Sequence, residues 1–203
     1  RRTFVAAGTM ADWYQRVQAL PNPIRGDYHL FALFTGLRRT DACTVRWEHI
    51  DWDARSLHVP MPKGGHAFSL PLSDFLIDLL QRRRAQNAQL FEGSPWVFPS
   101  LSDSGHIEEP REDALGSTIH DLRRTFITVA ESLDLSPYAI KLLVNHALPK
   151  ADVTGGYVVP DLERLRRPMQ QITDRLLALT KARGEPTAAN DEEAPAEREQ
   201  DAA

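Results

Sequence analysis

The sequence predicts a mainly α-helical domain carrying a small three-stranded antiparallel sheet. Three observations lead there. Apolar residues recur at spacings of three and four through several long segments, the pattern of amphipathic helices. Three short stretches with β character follow one another before residue 75, separated by turn-forming residues. No run of about 18 apolar residues occurs, so nothing reads as a membrane span.

The elements follow in order. "GTMADWYQRVQALPN" places Trp13, Val17 and Leu20 at helical spacing, with Pro21 and Pro23 expected to end the helix. "GDYHLFALFTGLRRTDACTV" holds a second helix with a continuous apolar stretch, and Gly36 stands where it should end or bend. "VRWEHIDW", "RSLHV" and "HAFSLPL" are the three strand candidates, with "DWDA" and "PMPKGG" as the turns between them. "SDFLIDLLQRRRAQNAQL" is amphipathic, with Ser73 as its expected N-cap. Its "RRR" at 82–84 reads as a solvated helix end rather than a DNA contact. "SPWVFPSLSDSGHIEEP" reads as loop, and helices are expected at about 117–132, 136–145 and 161–182. No internal repeat is visible.

Composition bounds the function. A chain of 203 residues with 42% apolar content suits one domain and a tail. The single cysteine, Cys43, rules out an internal disulfide and a Cys-rich zinc site, and fits a reducing cytoplasm. The seven histidines show no H-E-x-x-H spacing, which disfavours a metallohydrolase. The chain opens on "RRTFVAAG", with no initiator Met and no apolar signal core, and is expected to be a piece of a longer protein. The formal charge of −4 is unevenly placed: residues 184–203 carry −6, which leaves +2 for residues 1–183. The tail is rich in Pro, Ala and Glu, lacks any large apolar residue and is expected to be disordered. A body near neutrality leaves room for arginines sorted onto one face.

The densest charge cluster is "HDLRRTF", residues 120–126. Ser117 and Thr118 are cap-type residues just before it, so a helix should run on from His120. Residues three apart share a helix face, which puts His120 and Arg123 together and turns Asp121 and Arg124 elsewhere. Taken alone, the segment suits a solvated surface helix equally well.

Other segments add to it. "TGLRR" places Arg38 after a helix-ending glycine, "MPKGG" puts Lys63 on a hairpin tip, "LLVNHA" puts His146 at a helix end, and "DVTGGYVV" puts Tyr157 after two glycines. Each has a plainer reading by itself. Arg38 could cap a helix C-terminus, His146 could be a core histidine, and Tyr157 a core or interface residue. In order, however, the set reads Arg, Lys, His-x-x-Arg, His, Tyr. Over about residues 10–183 it resembles the catalytic domain of the tyrosine recombinases, the phage integrase family. Lys63 is the weakest match.

The resemblance implies the tyrosine recombinase fold and a division of labour. Attack on a phosphodiester builds negative charge on the phosphoryl oxygens, which forked, permanently charged guanidiniums can hold. Arg38 and Arg123 would take that task. Tyr157 would be the nucleophile, and with a free pKa of about 10 it needs help in losing its proton. His120 would accept or position that proton, His146 would donate to a non-bridging oxygen, and Lys63 would protonate the leaving 5′ oxygen. The product would be a 3′-phosphotyrosine and a free 5′ hydroxyl, with rejoining that needs no cofactor, ATP or metal. Asn145 departs from the glycine usual before the second histidine, but Asn tolerates the left-handed conformation.

The implied layout is a linker remnant at 1–9, a catalytic domain at 10–183 and an acidic tail at 184–203, with a core-binding domain outside this chain. Implied partners are double-stranded DNA attachment sites, a homotetramer on DNA for the full-length protein, a monomeric fragment, and accessory DNA-bending proteins. The implied setting is the cytoplasm, bacterial or phage-encoded, without membrane. Supercoil relaxation by a type IB topoisomerase and a non-catalytic DNA-binding module are the alternatives. Leu162, Leu165, Met169, Ile172, Leu176 and Leu179 form a narrow helical stripe. By resemblance it is expected to dock on a neighbouring protomer, with packing against its own domain as the other reading.

Overall fold

The computed structural model describes residues 3–62, 66–146 and 161–182. The described helices are α1 (Met10–Gln18), α2 (Pro23–Thr35), α3 (Arg39–Cys43), α4 (Asp74–Leu90), α5 (Ile119–Glu131), α6 (Pro137–Leu143) and α7 (Leu162–Lys181). The strands are β1 (Ile50–Asp51), β2 (Ser56–Val59) and β3 (Phe68–Pro71), paired antiparallel in sequence order. Leu57 pairs with both Ile50 and Leu70, so the register keeps these three apolar side chains together on the core side. Among the described residues, no helix is long and apolar enough to cross a membrane.

The core is built around α2. Tyr28, Phe31, Leu33 and Phe34 are sealed from solvent, and a helix apolar on most of its circumference belongs inside. It packs against α5, α4, α1 and α7. Pro23 does not end α1, as expected, but opens α2 at its first turn, where a missing N–H costs nothing. Asn22 caps that end, its Oδ1 accepting from Ile24 N at 2.9 Å. Gly36 ends α2 at φ 63°, a left-handed turn. A Cβ there would stand 2.7 Å from the Phe126 ring, so glycine is required on two counts.

Four further expectations change. The first strand candidate is mostly a 3₁₀ turn, Trp47–His49, with a two-residue strand after it. Its backbone bonds across to the Pro-Ser loop instead, Trp47 N to Pro95 O and Val97 N to Val45 O. Ser73 occupies the N-cap position of α4 but makes no side-chain cap bond. Gln170 of α7 takes the job, its Oε1 accepting from Asp74 N at 3.1 Å. The "RRR" segment lies within α4 and is solvated at Arg82 and Arg84 but not at Arg83. Arg83 is fully buried with Nη1 3.2 Å from Asp27 Oδ2, Arg82 donates to Asp27 Oδ1 at 2.7 Å, and Arg84 lies over the Trp52 ring.

The fourth change is the C-terminal stripe. Leu165, Met169, Ile172, Leu176 and Leu179 are buried within their own domain, where α7 packs on α1, β3, α5 and α6. Arg166 fastens the same helix to the β1–β2 turn by donating to Ala54 O at 2.7 Å. In this chain the helix packs as part of the core.

The core also holds an imidazole that cannot readily charge. His29 is 1% exposed and its Nδ1–H donates to Arg25 O at 2.7 Å. Burial pushes its pKa below the usual histidine value. The unfolded chain therefore binds this proton first as pH falls, and stability present above about pH 6.5 is lost on the way down. Urea midpoints measured between pH 7.5 and 5 should fall, the His29 share contributing up to about 1.4 kcal/mol per pH unit. His29→Gln should flatten that slope, and an unchanged slope would exclude His29 as its source.

Candidate active site

The site begins with the cap of α5. Thr118 Oγ1 accepts from Asp121 N at 3.2 Å, while Asp121 Oδ2 accepts from Thr118 N at 2.9 Å and from its hydroxyl at 2.7 Å. This reciprocal box fixes the first turn. Burial alone would raise the Asp121 pKa, but the bonds from Thr3 and Thr118, with Arg124 nearby, outweigh it and hold the carboxyl below the usual range. His120 then falls in the first turn, exposed, and Arg123 one turn later, buried. Both line one cleft, as their spacing predicts. Asp121 and Arg124 face away, toward the N-terminal segment, where Thr3 Oγ1 donates to Asp121 Oδ1 at 2.6 Å.

Arg123 ties two helix ends together. Its Nη1 donates to Gly36 O at the close of α2 and its Nη2 to Val144 O at the close of α6, both at 2.6 Å. Helix C-termini present unsatisfied carbonyls and a partial negative charge, so a guanidinium suits them. Its own charge stays uncancelled by these neutral partners. Burial, with the Arg38 charge adding to it and Asp41 opposing, lowers its pKa to about 10. It remains cationic at neutral pH.

Arg38 does not cap α2. It occupies the N-cap position of α3, with extended backbone. Its Nη2 donates to Asn145 O at 3.3 Å, and its Nη1 stands 3.9 Å from Asp41 Oδ2. That Nη1 is shielded from solvent and donates to no acceptor among the described residues. A buried donor left open costs about 1–3 kcal/mol. Asn145 adopts φ 47°, the left-handed turn expected of it, and His146 N bonds back to Lys141 O at 2.8 Å. His146 is thereby set at the cleft edge, exposed. Its pKa is lowered by partial burial first and then by the Arg123, Arg38 and Lys141 charges, which favours the neutral ring at pH 7.

Arg38, Arg39, Thr40, Ile119, His120, Arg123 and His146 line an open cleft of about 490 Å³. Four of the six residues singled out from sequence therefore converge, drawn from α3, α5 and the turn after α6. Lys63 and Tyr157 lie outside the described residues. Pro60 and Met61, just before Lys63, line an adjoining cleft with Asp41, Arg46, His49 and His58. Sequence reasoning missed α3 and its Asp41, the carboxylate that faces Arg38. The signal was the three-residue spacing from Arg38 to Asp41, which brings the two onto one face of a helical turn.

A cleft with three guanidiniums and two imidazoles at its wall can hold a tetrahedral oxyanion and move a proton beside it. The chain is similar to several known proteins. The family model described as the phage integrase family matches residues 24–148. The prophage integrase IntF of Escherichia coli (strain K12) is 28% identical over 177 residues, covering 83% of this chain and 38% of that protein. A putative integrase/recombinase of Haemophilus influenzae is 32% identical over 73 residues, covering 36% of this chain and 19% of that protein. The chain thus spans well under half the length of either relative. Among solved structures, an integrase from mycobacterium phage Brujita matches with a TM-score of 0.61 at 22% identity, over 88% of this chain and 63% of that one. The XerH site-specific recombinase bound to its difH substrate matches with a TM-score of 0.60 at 14% identity, over 72% of this chain and 47% of that one. The structural matches place the fold among the tyrosine recombinase catalytic domains, and the matched residues 24–148 contain Arg38, His120, Arg123 and His146: the chain belongs to the phage integrase family.

Proposed function

We propose that this chain is the catalytic domain of a site-specific recombinase that cuts and rejoins double-stranded DNA of a phage or other mobile element through a covalent 3′-phosphotyrosine. Residues 10–183 form that domain, with residues 1–9 as the linker to a DNA-clamping domain. What supports the reading is the convergence of Arg38, His120, Arg123 and His146 around one cleft, with an Arg38 nitrogen that has no acceptor. The chemistry runs as follows. Arg38 and Arg123 bind the non-bridging oxygens of the scissile phosphate. His146 donates from its neutral ring to one of them, and His120 takes the Tyr157 proton. The Tyr157 oxygen forms a bond to phosphorus as the bond to the 5′ oxygen breaks, and Lys63 gives that oxygen its proton. Attack by a 5′ hydroxyl from another strand reverses each step and releases Tyr157.

The repulsion between Arg38 and Arg123 is part of the device. Two cations share one cleft, each lowering the other's comfort, until a phosphate dianion-like transition state neutralises both. The test is a nicked suicide duplex bearing the protein's own attachment site, on which loss of the short cut strand traps the adduct. A complex stable to SDS and destroyed by protease is the expected product, and it should form in EDTA. Arg38→Lys should lower the yield by at least about a hundredfold, because an ammonium cannot reproduce the fork. Cleavage that needs a divalent metal, or an Arg38→Lys variant as active as the parent, would overturn the reading.

A further inference from the structure

We infer that the acidic segment 184–203 docks in the cationic cleft of its own chain and competes there with the DNA backbone. The inference rests on the proposed function for the identity of the competitor, though not for the docking itself. The two surfaces are opposite in charge and lie within reach of each other. Glu185, Asp191, Glu192, Glu193, Glu197, Glu199 and Asp201 face a single Arg198, for a net −6. The cleft presents Arg38, Arg39, Arg123, His120 and His146. Arg39 is held by Glu109 at 3.1 Å, and Arg38 stands at 3.9 Å from Asp41. Arg123 keeps its full charge, because both its bonds end on neutral carbonyls.

The cleft also selects for an oxyanion. The Arg38 side chain is 28% exposed and its Nη1 has no hydrogen-bond acceptor among the described residues, so the guanidinium offers a carboxylate the same forked geometry it offers a phosphate. Reach is ample. Twenty residues extend at most about 65–70 Å, whereas a domain of this size has a radius of gyration of about 16 Å. The segment follows α7 directly, and α7 packs on α1, whose Trp13 Nε1 donates at 2.9 Å to Ser117 beside the start of α5. Attachment to the same chain gives the carboxylates an effective concentration in the millimolar range. Weak individual carboxylate–guanidinium contacts are therefore populated, and they yield to a polyanion that offers phosphates at higher charge density. The segment lacks large apolar residues, so charge is what would hold it against the surface.

The experiment compares the full chain with a full-length variant in which those seven carboxylates are changed to Asn or Gln. Two readouts are used. In the absence of DNA, NMR follows the histidine ring signals. Docked carboxylates change the surroundings of the cleft imidazoles, so the His120 and His146 signals should shift between the two proteins, while those of His29 and His106 stay put. With a short duplex at 50 mM salt, the neutralised variant should bind about three- to tenfold tighter, with the gap closing by 300 mM. Site imidazoles that do not move overturn the docking, even where duplex affinity rises, since bulk charge alone explains that result. Imidazoles that move, with neither protein binding duplex, uphold the docking and sink the recombinase reading instead.

Discussion

Tyr157→Phe abolishes covalent attachment to a nicked attachment-site duplex while leaving DNA affinity within about twofold of the parent. That is the expected result, and its logic is subtraction. The exchange removes one oxygen and keeps the ring, so any loss belongs to the nucleophile. Loss of a covalent nucleophile is felt on a scale of about a thousandfold or more. The cationic half of the site is independent of Tyr157: Arg38, His120, Arg123 and His146 line the cleft and are the groups proposed to hold phosphate in either protein. Affinity and chemistry should therefore separate cleanly. Mobility-shift titration reads the first, and an SDS gel of labelled duplex reads the second. A Phe variant that still becomes linked would move the nucleophile elsewhere in the chain. A variant that loses binding as well would give Tyr157 a structural role.

Much of this domain was legible because its signals are local. Gly36 reads as a helix end, and only a residue free to take φ 63° beside the Phe126 ring fits there. Asn145 reads as a left-handed turn and is one. His120 and Arg123 read as one helix face because a three-residue spacing in a capped helix fixes it. What escaped was non-local or too short. α3 has five residues, which leaves no room for a period. Arg83 looks like any exposed cation until Asp27 arrives beside it from another helix. Neighbouring Arg82 reaches the same carboxylate across a separation of 55 residues, a distance that no window along the sequence spans. The stripe of α7 gives its own apolar face but not the surface that covers it.

Arg123 joins the legible part to the hidden part. Its place in the order that resembles the family is readable from the sequence, yet its two bonds to Gly36 and Val144 are not. Those bonds make one residue hold both the turn before Arg38 and the turn that carries His146. Chemistry and architecture are therefore coupled at this side chain. Substitutions at Arg123 will lower stability along with activity, so Arg38, whose bonds are longer, is the better probe of charge stabilisation.

Deleting residues 160–203 should unfold the domain. Loss of the tail beyond Gly184 should not. The difference is α7, whose Leu165, Met169, Ile172, Leu176 and Leu179 are buried against α1, β3, α5 and α6. Burying each such side chain contributes about 1.5–3 kcal/mol, so five together match the whole stability of an ordinary domain, about 5–15 kcal/mol. The deletion would also expose the apolar faces that α7 covers and remove Gln170 from the start of α4. Near-UV circular dichroism and urea titration should show no fixed tertiary packing and no cooperative transition. A graded check avoids relying on one drastic variant. Ile172→Ala should cost about 2–5 kcal/mol, as expected for truncating a fully buried side chain. Arg175→Ala, on the exposed face of the same helix, should cost less than about 0.5 kcal/mol. If the chain cut before residue 160 keeps a sharp transition, the helix is a separable element after all. Its burial against its own domain would then be one of two seats, with the second on a neighbouring protomer. If Ile172→Ala and Arg175→Ala cost the same, the packing of α7 described above does not hold in solution.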